Sequence, residues 1–332
     1  MTNKIRSSII ILIVAVMAVI IPLFMADRSV YVQLILAAII VTGLSLFMGY
    51  AGQASLGQGA FVAIGALTVA VLTVRFHVPS LIALVAAPLI AAACAYLLGL
   101  PLLRLRGHYL AFGTLAVLLL VQALISAVPL FGGAVGIGGI PQLGVGTFEF
   151  SGQLFYVYFS LAVLAAVILV SRNVVVSRFG RGVRALAASE SAAASSGVPI
   201  LRTKLAVFAL AGGFAGLAGG ISAFFTPYVS SESFPASASF TYVIMAVVGG
   251  LGTIWGGVVG AVLITALVQL LNSASNIPSL PPIAGTVLQY IAYAIVLMAF
   301  LLFLPGGLWP KIVGLFTRRP ATAAPLTESI SR

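Results

Sequence analysis

Residues 81–100 read LIALVAAPLIAAACAYLLGL, twenty positions without a charge. A helix needs about 20 such residues to cross the hydrocarbon of a bilayer. This stretch alone therefore predicts a transmembrane helix. Runs of the same kind recur on both sides of it, and ten candidate spans follow: 9–25, 30–48, 58–74, 81–100, 108–127, 154–171, 204–224, 240–254, 256–271 and 285–304. The third, eighth and ninth are short and glycine-rich, which predicts broken or partly re-entrant helices. The expected fold is all-α, a polytopic transmembrane bundle of about ten spans. Split five plus five, the two halves would have opposite orientations, the topology of an inverted repeat, although no sequence match links them.

The composition agrees. Of 332 residues, 62% are hydrophobic and 6% charged, and the mean hydropathy is +1.24. Soluble domains carry roughly a quarter charged residues, so a soluble enzyme is excluded. Sixteen Lys and Arg against five Asp and Glu give a net charge of +11. These cations lie in short clusters between apolar runs, which is a topology signal rather than a nucleic-acid footprint. With the amino terminus in the cytoplasm, Lys4, Arg6, Arg104, Arg106, Arg172, Arg178, Arg181, Arg184, Arg202, Lys204, Lys311, Arg318, Arg319 and Arg332 fall inside, and Arg28 and Arg75 outside. The organisation is then a cytoplasmic amino terminus (1–8), a transmembrane domain (9–304) with a cytoplasmic loop at 172–203, and a polar cytoplasmic tail (305–332). The basic start of the first segment also suits a signal peptide, but Phe24-Met25-Ala26 is a poor cleavage site, so a retained helix is expected.

What the chain lacks narrows its chemistry. Asp27, Glu149, Glu190, Glu232 and Glu328 all lie outside the apolar runs. No intramembrane carboxylate is thus placed for a proton-driven carrier, while sodium coupling through backbone carbonyls stays open. Lys4, Lys204 and Lys311 never follow a glycine, so the phosphate-binding Gly-Lys-Ser/Thr motif is missing. If ATP drives this protein, a partner binds it. His77 and His108 lie on different segments, and Cys94 is single and sits in an apolar run. No metal cluster, disulfide or His-activated serine nucleophile follows from them. His108 reads as an interfacial residue.

Four stretches carry more information. GYAGQASLGQGAF (49–61) has four glycines and no charge, which disfavours a regular helix. It is either a cavity-lining break, with Gln53, Ser55 and Gln58 offering hydrogen bonds beside Gly52 and Gly57, or a tight interfacial loop. Residues 178–199 form a basic, Ala-rich cytoplasmic segment with Val183, Leu186, Ala187 and Ala194 near one helical face and a stop at Gly197 and Pro199. A helix this short is marginal alone, so it either docks on a partner or lies against the membrane surface. Gly212, Gly216 and Gly220, and likewise Gly252, Gly256 and Gly260, repeat every four residues, a pattern for close helix packing. Ser230–Ser233 with Phe234 and Pro235 falls in an external loop, where Glu232 is either solvated or helps dock an external partner.

At these residues the chain resembles the permease subunits of ABC importers for branched-chain amino acids, of the LivM type, over about 35–307. The glycine-rich stretch at 49–61, RLRGHYLAF (104–112), SESAAASSG (189–197) followed by RTKL (202–205), FAGLAG (214–219) and VGGLGTIWG (248–256) match its elements in order. Gln58 stands where His is frequent, Ser189 where Asn is frequent, and Gly257 where Pro is frequent. The first departure leaves urea, sugars or nucleosides open as solutes, since related permeases carry them. The resemblance implies a non-catalytic transport subunit of the bacterial inner membrane that binds no cofactor itself. Two cytoplasmic ATPases would hold ATP and magnesium, a second homologous permease would complete the pore, and an external solute-binding protein would deliver the solute. Arg184, Glu190, Ser191, Ala192, Ala193 and Gly197 would then belong to the coupling segment that meets the ATPase. No nucleic acid is expected as a partner. The rival reading is a sodium-coupled carrier acting alone.

Overall fold

The computed structural model describes residues 28–275, apart from 106, 134, 146–147 and 151, together with 307–311 and positions 287, 291, 294, 295 and 298. The expected span at 9–25, most of that at 285–304, the amino terminus and most of the tail lie outside the described residues. The inverted repeat needs both of those spans.

Between residues 28 and 275, ten α-helices are described in order: α1 (Arg28–Ser45), α2 (Gln58–Ala70), α3 (Ser80–Leu102), α4 (His108–Ala127), α5 (Gln153–Val176), α6 (Arg178–Ala188), α7 (Glu190–Ser195), α8 (Ile200–Phe225), α9 (Ala236–Gly249) and α10 (Ile254–Ser275). Wider π turns at Leu46–Tyr50 and Val71–Arg75 extend α1 and α2. Among the described residues, seven helical stretches are long and apolar enough to cross a membrane. The expected span at 240–254 is the exception. It is the 14-residue α9, ended by Gly250 at φ 117°, and at 1.5 Å per residue it is short for a bilayer.

Burial separates centre from rim. The most apolar 18-residue windows of α1, α2 and α8 are 83%, 78% and 72% buried, whereas those of α3, α4, α5 and α10 are 28–33% buried. The rim helices turn large apolar side chains outward, among them Leu89, Leu97, Phe112, Leu120 and Leu169, as a lipid-facing surface requires. At the centre Phe208 of α8 meets Phe47 at 4.9 Å and Phe61 edge-on at 5.3 Å between ring centroids.

Small residues set the spacing. A Cβ added at Gly212 or Gly216 would overlap the methyls of Ala95 or Ala91, and one at Gly220 would lie 3.0 Å from that of Ala87. The expected Gly212–Gly216–Gly220 face thus packs against an alanine stripe of α3. The other flank of α8 meets α2, where Gly65 abuts the Gly216 carbonyl and Gly219 abuts that of Val62. In the second expected triplet, Gly256 and Gly260 lie against α9 at Gly249 and Met245. Gly252 is a correction: it lies off the helix, in the turn before α10, where its φ of +78° suits glycine. That turn packs on Gly49.

Pairings between loops sort the two ends. β1 (Ile137–Gly138), between α4 and α5, pairs antiparallel with β4 (Tyr228–Val229), between α8 and α9. Ser80, at the start of α3, donates to the Gln142 carbonyl. The 76–80, 129–152 and 226–235 segments therefore share one end. In the first of these loops β2 (Gly144–Val145) pairs with β3 (Phe148–Glu149). The opposite end gathers 51–57, 103–107, α6, α7 and the 250–253 turn. Arg104, Arg178, Arg181, Arg184, Arg202 and Lys204 lie there, while Arg28 and Arg75 mark the other end. The clustering read from sequence is thus a property of the fold.

Candidate functional site

The chain leaves helical geometry between α1 and α2. Gly52 turns it at φ +66°, and α2 restarts at Gln58 with Gly57 as its N-cap. Backbone freed inside a membrane protein must find partners within the protein, and here side chains from distant helices supply them. Leu56 N donates to Thr114 Oγ1 of α4 at 2.9 Å, and Gly59 N donates to Ser239 Oγ of α9 at 3.0 Å. Gly57 leaves no space for a side chain, because a Cβ there would lie 2.7 Å from the Thr114 carbonyl oxygen. Thr114 and Ser239 carry no sequence signal that marks them, since both look like ordinary polar positions in apolar helices. Replacing Thr114 by Val is expected to leave the Leu56 N–H unsatisfied and to destabilise the bundle by about 1–3 kcal/mol. A thermal-unfolding series with Thr114→Ser as the control measures this.

Of the five expected pathway residues, Ser55 and Gln58 are almost fully buried, with Ser55 Oγ accepting from Gly57 N at 3.3 Å. Gln58 has both amide atoms buried without a hydrogen-bond partner, which native interiors rarely tolerate. On the helix Gln58 falls on the stripe of Phe61 and Gly65, the stripe that meets α8. Gly52 and Gln53 instead face a cavity.

That cavity, about 710 Å³ at the basic end, is lined by Gly52, Gln53, His108, Glu190, Ser191 and Ala194 among others. The break and the Ala-rich segment were separate features of the sequence, and folding brings them to one place. His108 is exposed here, as an interfacial residue is. A second cavity of about 450 Å³ lies toward the other end. Aliphatic Leu36, Ile40, Val62 and Met245 share its wall with Tyr242 and Thr265.

The Ala-rich segment is two helices, not the single one expected. Ser189, extended at φ −163° and ψ 121°, ends α6 and caps α7, its Oγ accepting from Ala192 N. Side-chain competition of this kind favours helix starts over helix interiors. The break rotates the second helix, so the expected apolar face is corrected: Val183, Leu186 and Ala193 are buried, and Ala187 and Ala194 are exposed. Ala187 still touches the break, since a Cβ added at Gly52 would lie 3.3 Å from its Cα. Arg184 donates to the Val175 carbonyl at 3.3 Å, which caps the carboxyl end of α5. Ser191 and Ala192 are exposed, and Gly197 at φ +79° turns the chain toward α8. Glu190 does not stand free. It forms an ion pair with Lys204 of α8, a pairing that neither the charge sorting nor the RTKL element implies.

A bundle of long apolar helices, joined at the basic end by a glycine-rich break and hollowed by a cavity toward each end, defines a multi-pass membrane protein. A family model described as branched-chain amino acid transport system, permease component, matches residues 28–304, and the chain belongs to that family. Two relatives, both named high-affinity branched-chain amino acid transport system permease protein LivM, come from Salmonella typhimurium (strain LT2) and Escherichia coli (strain K12). Each is 31% identical over 296 residues, covering 81% of this chain and 70% of the relative. No solved structure matches.

Proposed function

We propose that this chain is one of two homologous permease subunits of an ABC importer in the bacterial inner membrane, with both termini cytoplasmic, and that it carries branched-chain amino acids. Two cytoplasmic ATPases supply ATP and magnesium, and an external solute-binding protein delivers the solute. The observation that carries this reading is the seating of α6 and α7 against the glycine break at the basic end. Cationic loops face the cytoplasm, which supports this segment as the surface that meets the ATPase. Ser191 and Ala192 offer that partner an exposed surface, while Ala193, Arg184 and Gly197 fix the segment's position. The 226–235 loop, with exposed Glu232, faces the solute-binding protein.

Gly52 and Gln53, which face the basic-end cavity, form the gated part of the pathway, with Ser55, Gly57 and Gln58 packed behind them. An aliphatic wall with neutral hydroxyls suits a branched aliphatic side chain held weakly, as a delivery-protein system requires. The test is uptake by the two permeases and two ATPases reconstituted in proteoliposomes with the solute-binding protein. Labelled leucine, isoleucine and valine are expected to accumulate with ATP, and excess urea, ribose or adenosine not to compete. Accumulation of one of those competitors instead would redirect the substrate while keeping the class.

A further inference from the structure

Lys204 lies in the second turn of α8, and its side chain is only 4% exposed, against 39% for Glu190. A buried ammonium is strongly unfavourable without a counter-charge, and near the amino end of a helix the macrodipole opposes it further. Glu190 resolves both problems. It is the first residue of α7, where the helix dipole favours a carboxylate, and its Oε1 accepts from Lys204 Nζ. Among the described residues it is also the sole carboxylate at the basic end, because Glu149 and Glu232 belong to loops at the other. A six-residue helix has no stability of its own, and within α7 only Ala193 is buried. The extended Ser189 and the left-handed Gly197 flank it as joints. α8, by contrast, is locked to α3 and α2 through Gly212, Gly216 and Gly219 with no room for slip.

We infer that the Glu190–Lys204 ion pair is the joint that transmits movement of α7 to the membrane core, with Lys204 a positioning residue on α8 and Glu190 committed to its own chain rather than to the ATPase. A displacement of α7 pulls the buried ammonium, α8 follows, and α2 follows α8 because their backbones touch. The glycine break at the head of α2 then opens or closes. This inference rests on the reading of α6 and α7 as the ATPase-facing segment.

The test uses the complete complex with Lys204→Met, Glu190→Gln and the exchange Glu190→Lys/Lys204→Glu, and reads co-purification, ATP hydrolysis and solute imported per ATP. The single variants are expected to assemble and to hydrolyse ATP within about twofold of the parent, yet to import about tenfold less solute per ATP, a typical coupling magnitude. The exchange should restore most of that ratio, as interacting pairs do. A merely structural pair would lower assembly and leave the ratio unchanged in what assembles, which overturns the inference. So does a Lys204→Met complex that imports normally per ATP while Glu190→Gln does not, because Glu190 would then act on the ATPase directly. If the single variants fail to assemble, the exchange decides: recovered assembly with recovered import supports the joint, and recovered assembly without import overturns it. An unmodified complex that imports nothing contradicts the permease reading itself and is distinguishable from all of these.

Discussion

Ala193→Pro is expected to abolish ATP-driven uptake while the protein still inserts and folds. Ala193 N donates to the Ser189 carbonyl at 3.0 Å, and the Ala193 carbonyl accepts from Val198 N at 3.0 Å. Proline removes the first bond and clashes with the preceding turn, at a cost of ~3 kcal/mol or more in a helix. A helix of six residues cannot absorb that loss. The bundle can, because α7 buries only Ala193, whereas the centre is built from α1, α2 and α8. Glu190→Lys should act in the same direction by setting a second ammonium against buried Lys204. Gly182→Ala in α6 is the control, since its new methyl meets only the Val198 side chain at 3.5 Å. The checks are uptake, membrane insertion and Tm. The expected pattern is lost uptake, normal insertion and a Tm within a few degrees of the parent. Undiminished uptake by Ala193→Pro would contradict the coupling role.

Gly216→Val should instead destroy the fold. Gly216 is pinched between Ala91 of α3 and the backbone of α2, with the Ala87 and Phe61 carbonyl oxygens 3.1 and 3.6 Å from the place a Cβ would take. Three added carbons have nowhere to go. Overpacking costs about 1–3 kcal/mol where neighbours can shift, and here backbone on two sides prevents the shift, so the upper end or beyond is expected. Gly213→Ala, one turn earlier on α8, supplies the contrast. Its methyl would meet Ala92 Cβ and the Pro88 carbonyl oxygen at 3.4 Å, an ordinary contact, and the helix gains up to about 1 kcal/mol in propensity. Folded yield and Tm in detergent should fall sharply for the first variant and hold or rise for the second. Equal effects would show that the glycine stripe is not what sets the helix spacing.

The apolar runs were legible because lipid imposes a length and forbids charge. Seven of the ten expected spans coincide with long apolar helices to within a few residues. The break was legible from its glycines, although the helix resumes at Gln58 and only 51–57 leave helical geometry, and the Gly212–Gly216–Gly220 spacing announced the α8 interface. Less was visible where tertiary partners decide. Gly65 stands six residues after Gly59 in α2, a spacing that gives no close-packing signal, yet it meets the Gly216 carbonyl. Ser189 read as one more residue in an Ala-rich helix, but its hydroxyl makes it the cap that divides that helix. Lys204 read as a cytoplasmic cation because local sequence carries no mark of burial, and only folding brings Glu190 to it. Gly252 kept the four-residue spacing of Gly256 and Gly260, and its backbone conformation, which spacing does not encode, puts it in the turn.

The central claim is that this chain is a gate without its own energy source. Solute accumulation in proteoliposomes, with and without the ATPase subunits and with an imposed sodium gradient in each case, tests it most directly. Accumulation that requires the ATPases and ATP and ignores the sodium gradient is the expected result. Concentrative uptake by this chain alone, driven by sodium, would contradict it.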